Sequence, residues 1–337
     1  MSTLADIAQS LVAPGKGILA ADESSGTIAK RFETIGVEST EENRRAYRDL
    51  LFTTAGSSDS ISGVILFDET IRQRSADGTP FPELLTRHGI VPGIKVDEGA
   101  KPLALCPGET ITEGLDGLRE RFAGYYALGA RFAKWRAVIS ITADTPSETC
   151  IQTNAHALAR YAALAQEAGL VPIVEPEVLM DGEHTIERSF EVTSRVQRAV
   201  FAELAAQRVE LEGMLLKPNM VLSGYECPTQ ATVEEVAAAT LRCLRDEVPS
   251  AVPGIVFLSG GQSDEISTEH LNAMNLAPGP KPWPLSFSYG RALQHAAQLA
   301  WRGEAGNVAA AQAAYLHRAR MNSAARAGTW SANLEAA

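Results

Sequence analysis

Val171-Pro172-Ile173-Val174-Glu175-Pro176-Glu177 is the stretch that decides how this chain folds. Four apolar residues run without alternation and then break into two carboxylates. An uninterrupted apolar run of strand length is what a parallel sheet needs when helices cover both its faces; a sheet wetted on one side would alternate. The same pattern recurs in Phe132-Ala133-Lys134-Trp135-Arg136 and in Gly213-Met214-Leu215-Leu216-Lys217-Pro218-Asn219. Each is an apolar run that reaches a charge just where a buried strand should stop.

Working outward, eight such runs read as strands: Gly17–Ala21, Val64–Phe67, Gly93–Val96, Phe132–Ile139, Val171–Val174, Met214–Leu216, Ile255–Leu258 and Leu285–Phe287. Helical patterns separate them. Ile28, Phe32 and Ile35 share one face, and Gly36 supplies the left-handed residue that ends a helix. Ser39-Thr40-Glu41-Glu42 and Thr232-Val233-Glu234-Glu235 both fit a capping box. Leu115, Leu118 and Phe122 form a stripe closed by Gly129, and Ile186, Phe190, Thr193, Val200 and Leu204 trace a long outer helix. Residues 2–12 read as a leading helix and 306–327 as a trailing one. Strand and helix alternating eight times predict an α/β fold, either a closed (β/α)8 TIM barrel or a doubly wound sheet. No G-x-G-x-x-G turn follows the first strand, which favours the barrel with extra N- and C-terminal helices. No Gly/Ser/Pro linker divides the chain, so residues 1–337 are expected to form one domain with a short flexible tail from about 328.

The composition narrows the function. The chain has 337 residues, 45% of them hydrophobic and 21% charged, enough to bury a sizeable core. Its net charge of −11 and pI near 5.1 argue against nucleic-acid binding. Four scattered cysteines without CxxC spacing suggest a reducing compartment, and six dispersed histidines offer no H-E-x-x-H pair for a catalytic metal. With no apolar stretch of membrane length and no export signal, the cytoplasm is the expected location.

In such barrels the active site lies at the C-terminal ends of the strands. There the sequence puts Asp22, Lys95, Lys134, Arg136, Glu175, Glu177 and Lys217, then Ser259-Gly260-Gly261 and Ser288-Tyr289-Gly290-Arg291. Any one of these charges is as well explained by a rim ion pair; their recurrence on strand after strand is not. Burial and a like-charged neighbour both disfavour an ammonium, and a neutral lysine amine attacks carbonyls to form Schiff bases. The chain therefore reads as an imine-forming enzyme. Glycines after strands seven and eight let several N–H groups aim at one anion beside the fork of Arg291, a phosphate-site arrangement. Lys95, Lys30, Arg31 and Arg136 could form a second anionic pocket, although Lys30-Arg31 also fits a solvated helix face.

Longer motifs carry a resemblance. Gly15-Lys16-Gly17-Ile18-Leu19-Ala20-Ala21-Asp22-Glu23-Ser24 with Ile28-Ala29-Lys30-Arg31, Phe132-Ala133-Lys134-Trp135-Arg136, Ile173-Val174-Glu175-Pro176-Glu177, Leu215-Leu216-Lys217-Pro218-Asn219-Met220, Phe257-Leu258-Ser259-Gly260-Gly261-Gln262-Ser263 and Phe287-Ser288-Tyr289-Gly290-Arg291-Ala292-Leu293 together resemble class I fructose-1,6-bisphosphate aldolase. The resemblance runs from the first helix to Gly328. It implies a metal-independent, cofactor-free lyase that reversibly cleaves fructose 1,6-bisphosphate into dihydroxyacetone phosphate and glyceraldehyde 3-phosphate, working as a homotetramer on small phosphorylated sugars.

By the same resemblance, Lys217 is the Schiff-base lysine and Glu175 the acid/base at the carbinolamine, assisted by Glu177. Asp22 is the base for the C4 hydroxyl, and Lys134 the second lysine, a cation beside the nucleophile. Ser259, Gly260, Ser288, Gly290 and Arg291 match the 1-phosphate pocket, and Gly261 beside them is expected among the substrate-binding residues. Arg31, Lys95 and Arg136, with Ser24, Thr27, Lys30 and Arg44, match the 6-phosphate side. Thr27 stands where relatives often have serine and keeps the hydroxyl. The chain ends Thr329-Trp330-Ser331-Ala332-Asn333-Leu334-Glu335-Ala336-Ala337, without the terminal tyrosine of the animal enzymes, which implies slow protonation of the enamine. Rival readings are a transaldolase-type or deoxyribose-phosphate aldolase, against which two phosphate pockets argue, and a scaffold that kept the fold without turnover.

Overall fold

Eight parallel strands close into a barrel in the computed structural model, which describes residues 2–336. They are β1 (Gly17–Ala21), β2 (Ile61–Leu66), β3 (Val91–Lys95), β4 (Phe132–Ile139), β5 (Val171–Val178), β6 (Leu215–Leu216), β7 (Ile255–Phe257) and β8 (Leu285–Tyr289). Each pairs with its neighbours in sequence, and β1 closes the ring on β8. Parallel pairing requires crossovers, and helices on the outside supply them. Among these are Glu148–Glu167, Ile186–Ala206, Val233–Glu247, Asp264–Leu276 and Arg291–Trp301.

Alternation along the strands sorts the apolar residues into two cores. Leu19, Ala133, Trp135, Val174, Leu216 and Phe257 pack outward against the helices. Trp135, fully buried, stacks on Tyr161 of helix Glu148–Glu167 with ring centroids 5.6 Å apart. Ile18, Ala20, Ile65, Phe132, Val171, Ile173, Leu215 and Val256 fill the lumen. The leading helix, Leu4–Leu11, contributes Ala8, Leu11 and the following Val12 to that inner cluster and so plugs one end of the barrel. Phe132 fits only because Gly93 has no side chain; a Cβ there would lie 2.3 Å from the Phe132 ring.

Several expectations shift. β5 continues to Val178 because Glu175, Pro176 and Glu177 stay in the strand, paired with Arg136, Ala137 and Val138 of β4. β2 begins at Ile61 and β3 at Val91, earlier than the apolar runs suggested. Thr232 and Glu235 form the anticipated capping box. Ser39 and Glu42 do not: Thr40 is the N-cap of helix Glu41–Phe52 and receives the Asn43 N–H, so the third helical position is an asparagine. A hairpin of Ala100–Pro102 with Thr110–Thr112 lies outside the barrel sheet and has no counterpart in the sequence reading. The last turn, Ala332–Glu335, docks through Glu335, which pairs with Arg318 and accepts the Trp330 indole N–H at 2.9 Å. Among the described residues no helix is long and apolar enough to cross a membrane.

Candidate active site

The two-residue rhythm that fills the lumen also builds the site. Along β4 the inward positions run Phe132, Lys134, Arg136; along β5 they run Val171, Ile173, Glu175, Glu177. In β1 and β6 the same step leads from Ala20 to Asp22 and from Leu215 to Lys217. Apolar residues thus occupy the plugged end and charges the open end. Register sets their level, with Lys95 paired to Lys134 and Arg136 to Glu175. They line a cavity of about 350 Å³ at the carboxyl ends of the strands.

One carboxylate links the two central lysines. Glu175 places Oε1 3.2 Å from Lys217 Nζ and Oε2 3.3 Å from Lys134 Nζ. Lys134 also reaches Asp22 at 2.8 Å and Asp97 at 4.0 Å, and Lys95 meets Asp97 at 2.7 Å. Arg136 pairs with Glu177. Lys134, Lys217, Glu175 and Glu177 are all buried. Burial by itself pushes the Asp22 carboxyl up, but Lys134 and Lys217 overcome it and hold the group well below the usual carboxylate range. Burial likewise pushes the Lys134 ammonium down, and Asp22, Glu175 and Asp97 outweigh it, leaving that group raised. At rest near neutral pH Lys134 is therefore a cation and Asp22 an anion with room to accept a proton.

At one rim, Gln262 N–H donates to the Ser259 carbonyl and closes a tight turn through Gly260 and Gly261. Both glycines have positive φ, +61° and +107°, which lets the backbone bend where a side chain would be strained. Gly261 is also crowded: a Cβ there would come within 2.8 Å of an Arg291 nitrogen. Ser288 Oγ is buried and has no hydrogen-bond partner, which costs about 1–3 kcal/mol unless a ligand supplies one. Among the described residues Arg291 is the one cation lining the cavity without a carboxylate at ion-pair distance, whereas Arg31 is held by Glu23.

The residues singled out in the sequence as site candidates line this cavity, with two exceptions, Arg44 and Lys30. The Arg44 guanidinium makes two bonds to Glu69, at 2.7 and 2.6 Å, and another to the Ser39 carbonyl. Its donor fork is spent on helix packing, and it leaves the candidate phosphate set. Lys30 lies on an outer groove with Thr34 and His295. Sequence reasoning missed Asp97, the carboxylate between Lys95 and Lys134, and Glu23, which also binds Arg48 at 2.6 Å and Gln294 at 2.7 Å. Asp97 follows Lys95 by two residues at the end of β3, the one sequence signal that could have found it.

Fold and site together are those of a barrel enzyme with its polar groups gathered at the carboxyl ends of the strands. The chain matches the family described as fructose-bisphosphate aldolase class-I over residues 3–337. A probable fructose-bisphosphate aldolase class 1 of Xanthomonas axonopodis pv. citri is 62% identical over 328 residues, covering 97% of this chain and 98% of the relative. Fructose-bisphosphate aldolase B of Gallus gallus is 56% identical over 97% of this chain and 90% of its own length. A solved fructose-bisphosphate aldolase from Plasmodium falciparum, in a ternary complex with TRAP and a small-molecule inhibitor, superposes with a TM-score of 0.96. It is 52% identical over 97% of this chain and 95% of that one. The chain belongs to the class I fructose-bisphosphate aldolase family.

Proposed function

We propose that this chain cleaves fructose 1,6-bisphosphate reversibly through an imine on Lys217. The observation that carries the reading is the bridge of Glu175 between Lys217 and Lys134, with Asp22 held on Lys134. Lys217 passes a proton to Glu175 at 3.2 Å, and its free amine attacks the C2 ketone. Glu175 then protonates the carbinolamine hydroxyl, which leaves as water and yields the iminium, with Glu177 assisting from the next inward position. Asp22 takes the C4 hydroxyl proton; the C3–C4 bond breaks, its electron pair runs to the iminium nitrogen, and glyceraldehyde 3-phosphate departs. Protonation of the enamine at C3 and hydrolysis release dihydroxyacetone phosphate and restore Lys217. Lys134 stays charged throughout and orients both carboxylates.

Ser259, Gly260, Gly261, Ser288, Gly290 and Arg291 are assigned to the 1-phosphate, and Ser24, Thr27, Arg31, Lys95 and Arg136 to the 6-phosphate. The unpartnered Ser288 hydroxyl and the unpaired Arg291 support the first assignment. We further assign the chain to a single barrel domain, to the cytoplasm and to a homotetramer. The test is a coupled cleavage assay with EDTA present and borohydride added with or without dihydroxyacetone phosphate. Activity that survives EDTA and is destroyed by borohydride only in the presence of the ketone supports the imine; reversible loss with EDTA, or indifference to borohydride, overturns it.

A further inference from the structure

The segment after β6 approaches the phosphate turn from behind. Gly224 N–H donates to the His184 carbonyl at 2.7 Å, Tyr225 N–H to the Met180 carbonyl at 2.9 Å, and Glu226 N–H to the Gly182 carbonyl at 2.9 Å. The fit is close enough that a Cβ on Gly224 would sit 2.2 Å from the Gly182 oxygen. This zipper fixes where Tyr225 stands. Its hydroxyl lies 3.2 Å from the Gly260 carbonyl and 3.3 Å from the Met180 sulfur. The hydroxyl has one proton, and a carbonyl accepts better than a thioether, so the proton goes to Gly260. Burial pushes the Tyr225 hydroxyl up to about 12, with Arg291 opposing, so the group is a donor throughout the neutral range. Tyr225 does not line the reaction cavity, whereas Gly260 and Gly261 do.

We propose that Tyr225 is a positioning residue for the anion pocket: its hydrogen bond to the Gly260 carbonyl turns the Gly260–Gly261 peptide so that the Gly261 N–H faces the bound phosphate beside Arg291. A trans peptide points its C=O and its N–H in opposite directions, so holding the carbonyl back against Tyr225 presents the amide forward. Among the described residues neither the Gly260 nor the Gly261 amide has a backbone carbonyl partner, which leaves both free for an anion. Two consecutive residues at positive φ make a turn that can flip this peptide, and the tyrosine hydroxyl selects one of the two orientations. The inference rests on the proposed assignment of this rim to the 1-phosphate.

Tyr225→Phe removes the hydroxyl alone, at a residue 43% exposed, so folding should be retained and is checked by thermal melting. The variant should raise the inhibition constant of inorganic phosphate, and the KM of both fructose 1-phosphate and fructose 1,6-bisphosphate, by about three- to tenfold with kcat nearly unchanged. That factor should be the same for the two sugars, because both carry the 1-phosphate. An unchanged phosphate inhibition constant, a loss confined to the bisphosphate, or a fall in kcat at constant KM would overturn the role of Tyr225. Arg291→Ala run in parallel separates the two levels. If it weakens phosphate binding while Tyr225→Phe does not, the pocket stands and the positioning role falls. If neither does, the pocket assignment falls and takes the inference with it.

Discussion

The two ends of the barrel lumen are built from the same strands and differ in everything else. At the plugged end Ile18, Phe132, Val171 and Leu215 meet side by side with no polar atom among them. Two or four residues farther along, the same inward positions hold Asp22, Lys134, Glu175 and Lys217 in one ion-paired layer. An apolar layer needs only volume and shape, and tolerates substitution according to the cavity left behind. A buried charged layer stands only while its partners balance, and removing one strands the others. The difference shows where this protein places its stability and where it gives some up for chemistry.

The comparison breaks most sharply at Lys217. Replacing it with Met should cut cleavage by about 10⁴-fold or more, the scale of losing a covalent nucleophile, while thermal unfolding changes little because Glu175 keeps Lys134 at 3.3 Å and is not stranded. Steady-state assay beside calorimetry checks both; a variant that unfolds but retains its turnover would reverse the roles of the layers. At the plugged end, Phe132→Ala should cost about 3–5 kcal/mol of stability by emptying the space that Gly93 leaves open. Below its unfolding temperature its kcat should stay within about tenfold, or 1.4 kcal/mol of barrier. Denaturant titration measures the first quantity and initial rates the second.

Smaller effects sharpen the picture at the rim. Arg291→Ala should weaken handling of dihydroxyacetone phosphate by about 2–4 kcal/mol, since a charge-assisted contact to phosphate is lost. Lys95→Ala should instead penalise fructose 1,6-bisphosphate more than fructose 1-phosphate; equal losses on the two sugars would misplace the pockets.

The smallest effect is one of pH. The Asp22 carboxyl is held low by Lys134 and Lys217 against the opposing push of burial, so the folded state sheds its proton more readily than the unfolded chain. Its contribution is complete above the unfolded value of about 3.9 and is lost as pH falls through the lower folded one. Lys134 is raised, so its contribution is complete below about 10.4 and is lost only as pH climbs through the folded value. The stability gap between the wild type and Asp22→Asn should therefore hold flat through neutrality and narrow below about pH 4. A gap that widens in acid would contradict the pairing.

The barrel was legible because strands buried on both faces leave continuous apolar runs, and the site because charges ended those runs. What stayed hidden needed distances between remote positions. Glu69 claims the fork of Arg44 from 25 residues away, and nothing in either local sequence announces the pair. Asp97 looks like any acid after a strand until Lys134 is found at 4.0 Å and Lys95 at 2.7 Å. The hairpin of Ala100–Pro102 escaped because three exposed residues carry no hydrophobic period. Glu175 and Glu177 were read as the close of β5 although they are paired within it, since sequence alone cannot say that a carboxylate in a strand faces a cavity.

Lys134 and Lys217 are both buried, both face the open layer and share one carboxylate, so composition and burial cannot tell nucleophile from fixed cation. Reducing the protein with borohydride in the presence of dihydroxyacetone phosphate, then mapping the adduct by peptide mass, asks that question directly. The account predicts a three-carbon phosphate adduct on Lys217 alone; an adduct on Lys134, or none on either lysine, would contradict it.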